Sequence, residues 1–269
     1  MKILIAGFAK TGTTGLFFKI RNSINGNCRE LFEARTYKHD LDDDKKTVLA
    51  KVLIGAGNYE WNYKSYSSFD KKILIIRDPR DTFISYLVYR ILHSRFLNDK
   101  VRVELFIDLL RKKEESPDSV NVLDIVSLFY KLSERYFDDA IFKNDTINQT
   151  NFLIDFLEYY NDFFILRYED FVDEKLDELE KYLGFKLSGS SEVIKDLQRV
   201  VRTKSYGNWK NWFTNKDVEY FKPLFKNFMN HFSYDDEWEL NKEKKILPEH
   251  CSKYVKRIVE ERLEIDRRE

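Results

Sequence analysis

The chain has 269 residues, of which 43% are apolar and 16% aromatic, enough for one ordinary domain with a sizeable core. Its 46 lysines and arginines balance 46 aspartates and glutamates, which argues against a bulk binder of nucleic acid or anionic membrane and leaves any anion recognition local. Cys28 and Cys251 lack metal-ligand spacing, no run reaches ~18 apolar residues, and a strand at the very start leaves no room for a signal peptide. The expectation is a soluble cytoplasmic protein with reduced thiols, no zinc site and no transmembrane segment.

In chain order, "KILIAG" predicts a short buried strand and "TTGLFFKIRNSI" a helix behind a glycine-bearing loop. "CRELFEA" predicts a second strand, and the charged run Asp40 to Lys46 a solvated turn. "TVLAKVLIGAG" contains a third strand, and "KKILIIRD" is a buried strand stopped by Pro79. "PRDTFISYLVYRILHSRF" is helical, with the proline suited to its first turn. Val101 to Tyr160 is helical with the loop "FKNDT" in its midst, and "DFFILRYED" is another strand. "EKLDELEKYLG" is a helix closed by Gly184, followed by the polar loop "RTKSYGNWKNWFT" and further helices. The last of these, "SKYVKRIVEERLEIDRR", is amphipathic with mixed charge and reads as a packed surface helix. Strands alternating with helices predict one α/β domain over residues 1–269, with a central parallel sheet flanked by helices in three layers.

The stretch "GFAKTGTTG" carries the chemistry. A strand, a glycine turn and a helix start gather backbone N–H groups at the positive end of a helix dipole, which suits phosphate. Against the Walker pattern, Gly7 and Gly12 fit, but Thr13 stands where the lysine belongs and Thr14 where the magnesium-binding hydroxyl belongs. The lysine comes earlier, as Lys10, where it approaches the bridging atoms of a shorter, diphosphate-like group.

"KTGTT" behind a first strand resembles the 5′-phosphosulfate loop of sulfotransferases that use 3′-phosphoadenylyl sulfate (PAPS). Three further segments follow in the family's order. "RDPRDTFIS" is similar to its 3′-phosphate motif, with Arg77 ending a strand and Ser85 on the next helix. "RYEDF" resembles its strand-ending Tyr-Glu-Asp, and "RTKSYGNWKNWFT" its closing loop, so the resemblance spans residues 7 to 214. It implies a P-loop-type fold and a sulfuryl transfer from PAPS that leaves adenosine 3′,5′-bisphosphate (PAP), with no metal required. It also implies that Lys10, Thr11, Gly12, Thr13, Thr14 and Gly15 hold the 5′ end of the nucleotide. The 3′-phosphate then falls to Arg77, Ser85, Arg202, Thr203 and Lys204, with Tyr168 adding a hydrogen bond through its hydroxyl. Asp78 and Asp81 are expected to cap the following helix or orient Arg77 and Arg80; Arg80 itself reads as a surface charge, and Gly207 and Trp209 as shapers of the closing loop. The sequence departs from many cytosolic members by placing Gly15 where they carry an adenine-stacking tryptophan.

Lys10 is placed to stabilise charge on the bridging oxygen as the S–O bond breaks. The segment before the 3′-phosphate strand lacks the histidine of phenol and steroid sulfotransferases. Glu33 instead ends the second strand, as the base does in carbohydrate-type and several bacterial members. A carboxylate whose pKa is raised by burial can take the proton, with His39 as substitute and Glu60 as third candidate. This favours a glycan or related hydroxyl as acceptor, received near Tyr37, Tyr63, Tyr66 and the segment Val101 to Thr146. The partners are thus a nucleotide and a hydroxyl acceptor, not nucleic acid, and no oligomeric state is fixed. Two other readings remain open at this point: a P-loop nucleotide kinase or NTPase with a degenerate Walker loop, and a non-catalytic nucleotide-binding module.

Overall fold

The computed structural model describes residues 1–40, 46–55 and 63–266. In chain order its elements are β1 (Lys2–Gly7), α1 (Thr13–Ser23), β2 (Cys28–Phe32), β3 (Thr47–Leu53), β4 (Lys71–Ile76), α2 (Pro79–Tyr89), α3 (Lys100–Glu115) and α4 (Val122–Leu132). There follow α5 (Asp139–Tyr159), β5 (Phe164–Arg167), α6 (Tyr168–Val172), α7 (Asp177–Leu183), α8 (Trp209–Trp212), α9 (Asn215–His231) and α10 (Ser252–Asp266). They fall into two compact units, Met1–Arg77 with Phe152–Lys195, and Asp78–Asn151 with Asp196–Glu269.

The first unit holds a five-stranded sheet, order β2-β3-β1-β4-β5, in which every pair is parallel. The expected α/β class, with a central parallel sheet flanked by helices, is what the chain forms. Ile3 to Ala6, Val48 to Ala50 and Ile73 to Ile75 are fully buried along consecutive positions, as strands covered on both faces require. From β1 the chain moves toward β2 on one side, and from β4 it moves toward β5 on the other. The carboxyl ends of the neighbours β1 and β4 therefore form the crevice at which such sheets receive ligands.

The second unit is helical. Its core joins Ile84 and Val88 of α2, Phe106 and Leu110 of α3, Ile125 and Phe129 of α4, Phe221 and Phe225 of α9, and Val255 and Ile258 of α10. Asp217, fully buried, accepts from the Val122 N–H at 2.9 Å and from its own capping-box partner Thr214, so one carboxylate caps two helices. The expected packing of α10 is observed, with Tyr254, Val255 and Ile258 buried. Among the described residues no helix is long and apolar enough to cross a membrane.

Two local expectations are corrected. "FKNDT" is not a loop but part of α5: Thr146 and Thr150 donate back to the carbonyls of Phe142 and Thr146, and Lys143 pairs with Asp139 one turn away. The break falls earlier, where Pro117 follows α3 and Asn121 with Asp124 forms the capping box of α4. Strand β5 ends at Arg167, and Tyr168 to Val172 turn into the short helix α6. The turn expected at Asp40 to Lys46 lies largely outside the described residues.

Candidate functional site

The loop between β1 and α1 is shaped by its backbone. Gly12 has φ 95° and serves as N-cap of α1, and a Cβ there would stand 2.5 Å from the ring of Tyr168. Left-handed backbone and close approach both demand glycine at this point. Thr11 is buried and donates its hydroxyl to the Phe8 carbonyl at 2.8 Å, closing the turn from within. Thr13 is buried and Thr14 half-buried at the head of α1. No described side chain caps this helix and its first turn holds no acidic residue, so the N–H groups at the positive end are suited to an anion. Gly15, in the same turn, lies against Phe171, whose ring would be 3.3 Å from an added Cβ.

Arg77, at the end of β4, is 4% exposed and donates Nη1 to the Lys10 carbonyl at 3.0 Å. Its guanidinium lies 4.3 Å from the centroid of the Tyr168 ring, so both Gly12 and Arg77 lie against that ring. The predicted residues Lys10, Gly12, Arg77 and Tyr168 are thus brought together in the first unit, at the β1–β4 crevice. Tyr168 contributes an aromatic face that sequence reasoning, intent on its hydroxyl, did not foresee.

Glu33 follows β2 immediately and has φ 57°. Five described residues other than glycine have positive φ: Lys10, Glu33, Glu134, Glu174 and Ser233. Glu134, Glu174 and Ser233 each lie two residues beyond a helix end, an ordinary left-handed helix stop. Lys10 and Glu33 have no such reason, and strained backbone of this kind collects at functional sites. The Glu33 N–H donates to the Lys51 carbonyl at 2.7 Å, and Tyr66, fully buried, donates its hydroxyl to Ala34 at 2.6 Å. Burial pushes the Tyr66 phenol up to about 12, which keeps it a donor. The Glu33 carboxylate is not buried as expected but 44% exposed, with Oε1 ion-paired to Lys51. Lys51, on β3, is only 2% exposed and its ammonium lies 4.3 Å from the Phe32 ring. Sequence reasoning read through this lysine; a charge inside the apolar run "TVLAKVL" was the available signal.

His39 is exposed and sits beside Tyr37, whose ring packs on Tyr66 and Phe69 and under the ammonium of Lys2. That is the amino end of β1, away from the loop, so His39 is not brought to the site. Glu60 lies outside the described residues. Tyr37 and Tyr66 are core residues, 8% and 0% exposed, and Tyr63 is tied to Asp162 and Lys72, so Tyr37 and Tyr66 serve packing rather than an acceptor. In the segment Val101 to Thr146, Phe106, Leu110, Ile125 and Phe129 join the core of the second unit, whereas Val101, Leu105, Tyr136 and Ile141 are exposed.

In the second unit, Ser85 is buried on α2, and Arg202 donates to the His250 carbonyl at 3.2 Å. Arg202 lines a cavity of about 300 Å³ together with Asn208, Asn211, Trp212, Lys245 and His250. Thr203 turns its hydroxyl to Ser205 at 2.6 Å, and Lys204 is exposed. Asp78 caps α2 through the Arg80 N–H and pairs with the Arg80 guanidinium. Arg80 is no surface charge: it is 3% exposed, reaches the carbonyl of Glu237 and lies 4.0 Å from the Trp209 ring. Asp81 accepts from the N–H groups of Gly207 and Trp209 and so fixes the closing loop. Among the described residues no group of three or more His, Cys, Asp or Glu gathers as metal ligands would.

No family model and no curated protein matches the chain. Among solved structures it is similar to mouse sulfotransferase SULT7A1 complexed with PAP, at 18% identity and a TM-score of 0.49, covering 85% of this chain and 84% of that chain.

Proposed function

We propose that this chain is a PAPS-dependent sulfotransferase that modifies the hydroxyl of a glycan or related metabolite. The observation that carries the reading is that Lys10 and Glu33, given the chemistry on sequence grounds, are the two described non-glycine residues held left-handed outside helix stops. Both follow the carboxyl ends of strands of one parallel sheet, β1 and β2, and those strands lie two strand spacings or roughly 10 Å apart. The donor set fits the nucleotide: the uncapped amides of α1, Lys10, Thr13 and Thr14 at the 5′ end, and Arg77 for the 3′-phosphate. Ser85, Arg202, Thr203 and Lys204 join this assignment on motif order alone, and residues 1–269 are treated as one catalytic chain.

In this reading the acceptor oxygen attacks sulfur in line, its proton passes to Glu33, and PAP departs as the bridging S–O bond breaks. Lys10 places a positive charge where that oxygen becomes anionic. The kinase reading is weakened by Thr13 in the lysine position of the Walker pattern. Calorimetry tests the assignment. PAP should bind ~100-fold more tightly than AMP, since a second charge-assisted phosphate contact is worth roughly 3 kcal/mol, and Arg77→Ala should remove most of that difference. Equal affinities for the two nucleotides overturn it. Incubation with labelled PAPS and a panel of glycans, lipids and phenols then identifies the acceptor.

A further inference from the structure

Lys51 is a cation with no place in the chemistry so far. It occupies the middle of β3, in register with Phe32 on one side and Ile5 on the other, where a leucine would pack without cost. A buried ion pair is weak support for stability, since a well-packed apolar residue commonly does as well. What Lys51 does instead is reach the one acidic side chain that follows β2. Its ammonium pairs with Oε1 of Glu33, and its carbonyl takes the Glu33 N–H at 2.7 Å, so one residue grips both the backbone and the side chain of Glu33. Among the described residues no other contact is made by Glu33 Oε2, which leaves that oxygen for an acceptor proton. Burial also pushes the Lys51 ammonium below the ordinary lysine value, partly offset by Glu33, as expected of a cation kept at some cost.

We propose that Lys51 is the positioning residue of the general base: it holds Glu33 by Oε1 and by its N–H so that Oε2 meets the acceptor hydroxyl. This rests on the sulfotransferase reading. The ion pair fixes one carboxylate oxygen, the left-handed backbone fixes the direction in which the side chain leaves β2, and the Tyr66 hydroxyl on Ala34 braces the next residue. Together they hold an exposed, four-bond side chain in one pose, which is what a base needs and a surface glutamate lacks.

The test uses the full chain and reads PAP released from PAPS with a pooled set of mono- and oligosaccharides as acceptor, alongside melting temperature and PAP affinity. Lys51→Met should lower kcat ~100-fold, the cost of a misplaced catalytic group, with PAP affinity within about 2-fold and the melting temperature unchanged or raised. Lys51→Arg, which keeps the charge, should recover most of the lost turnover. In the Glu33→Gln background, Lys51→Met should cost nothing further, because the group it positions is already gone. Wild-type turnover in Lys51→Met overturns the proposal, as does a variant that melts early or fails to fold, or a loss that multiplies fully with Glu33→Gln. A wild-type protein that binds PAP but releases none from PAPS brings down the sulfotransferase reading itself, and this proposal with it.

Discussion

The two most deeply buried lysines among the described residues, Lys51 in the first unit and Lys113 in the second, meet the same physical problem with opposite partners. Lys113, in the last turn of α3, has no exposure and donates to the carbonyls of Pro117 and Val120, the latter at 2.6 Å. Its acceptors are backbone, and removing the ammonium would strand the buried one, the Val120 carbonyl, away from water. Lys51 meets a carboxylate that is 44% exposed, which water can receive if the lysine is lost. The first arrangement staples a loop that the chain must make to pass from α3 to α4. The second supports a charged group that faces solvent. A buried cation is therefore informative less by its burial than by whether its partner has anywhere else to go.

The largest expected effect falls on the partner in the first region. Glu33→Gln keeps size and shape, and turnover should drop ~10²–10⁴-fold, the usual worth of a positioned base. Nucleotide affinity should change by less than a few-fold, and His39→Ala should keep most turnover. An active Glu33→Gln enzyme would reduce Lys51 to a second structural staple and erase the distinction.

Next comes Lys113→Met, which should lower the unfolding free energy by about 1–3 kcal/mol, the cost of leaving buried acceptors unmade. Turnover per folded molecule should stay near wild type. Chemical denaturation and activity measured on one preparation separate the two, and a stable but inactive variant would reverse the assignment of roles.

The smallest effect is a pH dependence. Burial lowers the Lys113 ammonium to about 8, against 10.5 for an ordinary lysine. Below pH 8 both folded and unfolded chains hold the proton. Between about 8 and 10.5 the folded chain releases it first, so the unfolded state binds more protons and stability rises with pH. Lys51 is shifted in the same direction. Urea midpoints taken across this window should rise for the wild type and rise less for Lys113→Met.

Much of this was legible in the sequence because apolar runs and glycine have strong local causes. β1 and β4 are continuous buried runs, and Gly12 sits where only a residue without Cβ fits under Tyr168. The polar residues of "FKNDT" were misread because composition cannot tell a loop from the solvent face of a helix. The capping pair Asn121 and Asp124 and Pro117 did mark the true break, but short signals of this kind carry weight only once the flanking helices are known. The Glu33–Lys51 pair escaped for another reason. It joins positions 18 apart through strand register, and register is a property of the assembled sheet rather than of either segment.

The grip of Asp81 on Gly207 and Trp209 divides the closing segment into two mechanical parts. From Gly207 onward the backbone is pinned to a buried carboxylate and enters α8, whereas Lys204, Ser205 and Tyr206 stand exposed just ahead of it. A protease needs several residues free to take up an extended form, so trypsin should nick this segment after Lys204 well before it cuts after Lys210. Asp81→Ala should let both bonds go at similar rates, which makes the cleavage pattern on a gel a direct gauge of how firmly that carboxylate holds the loop.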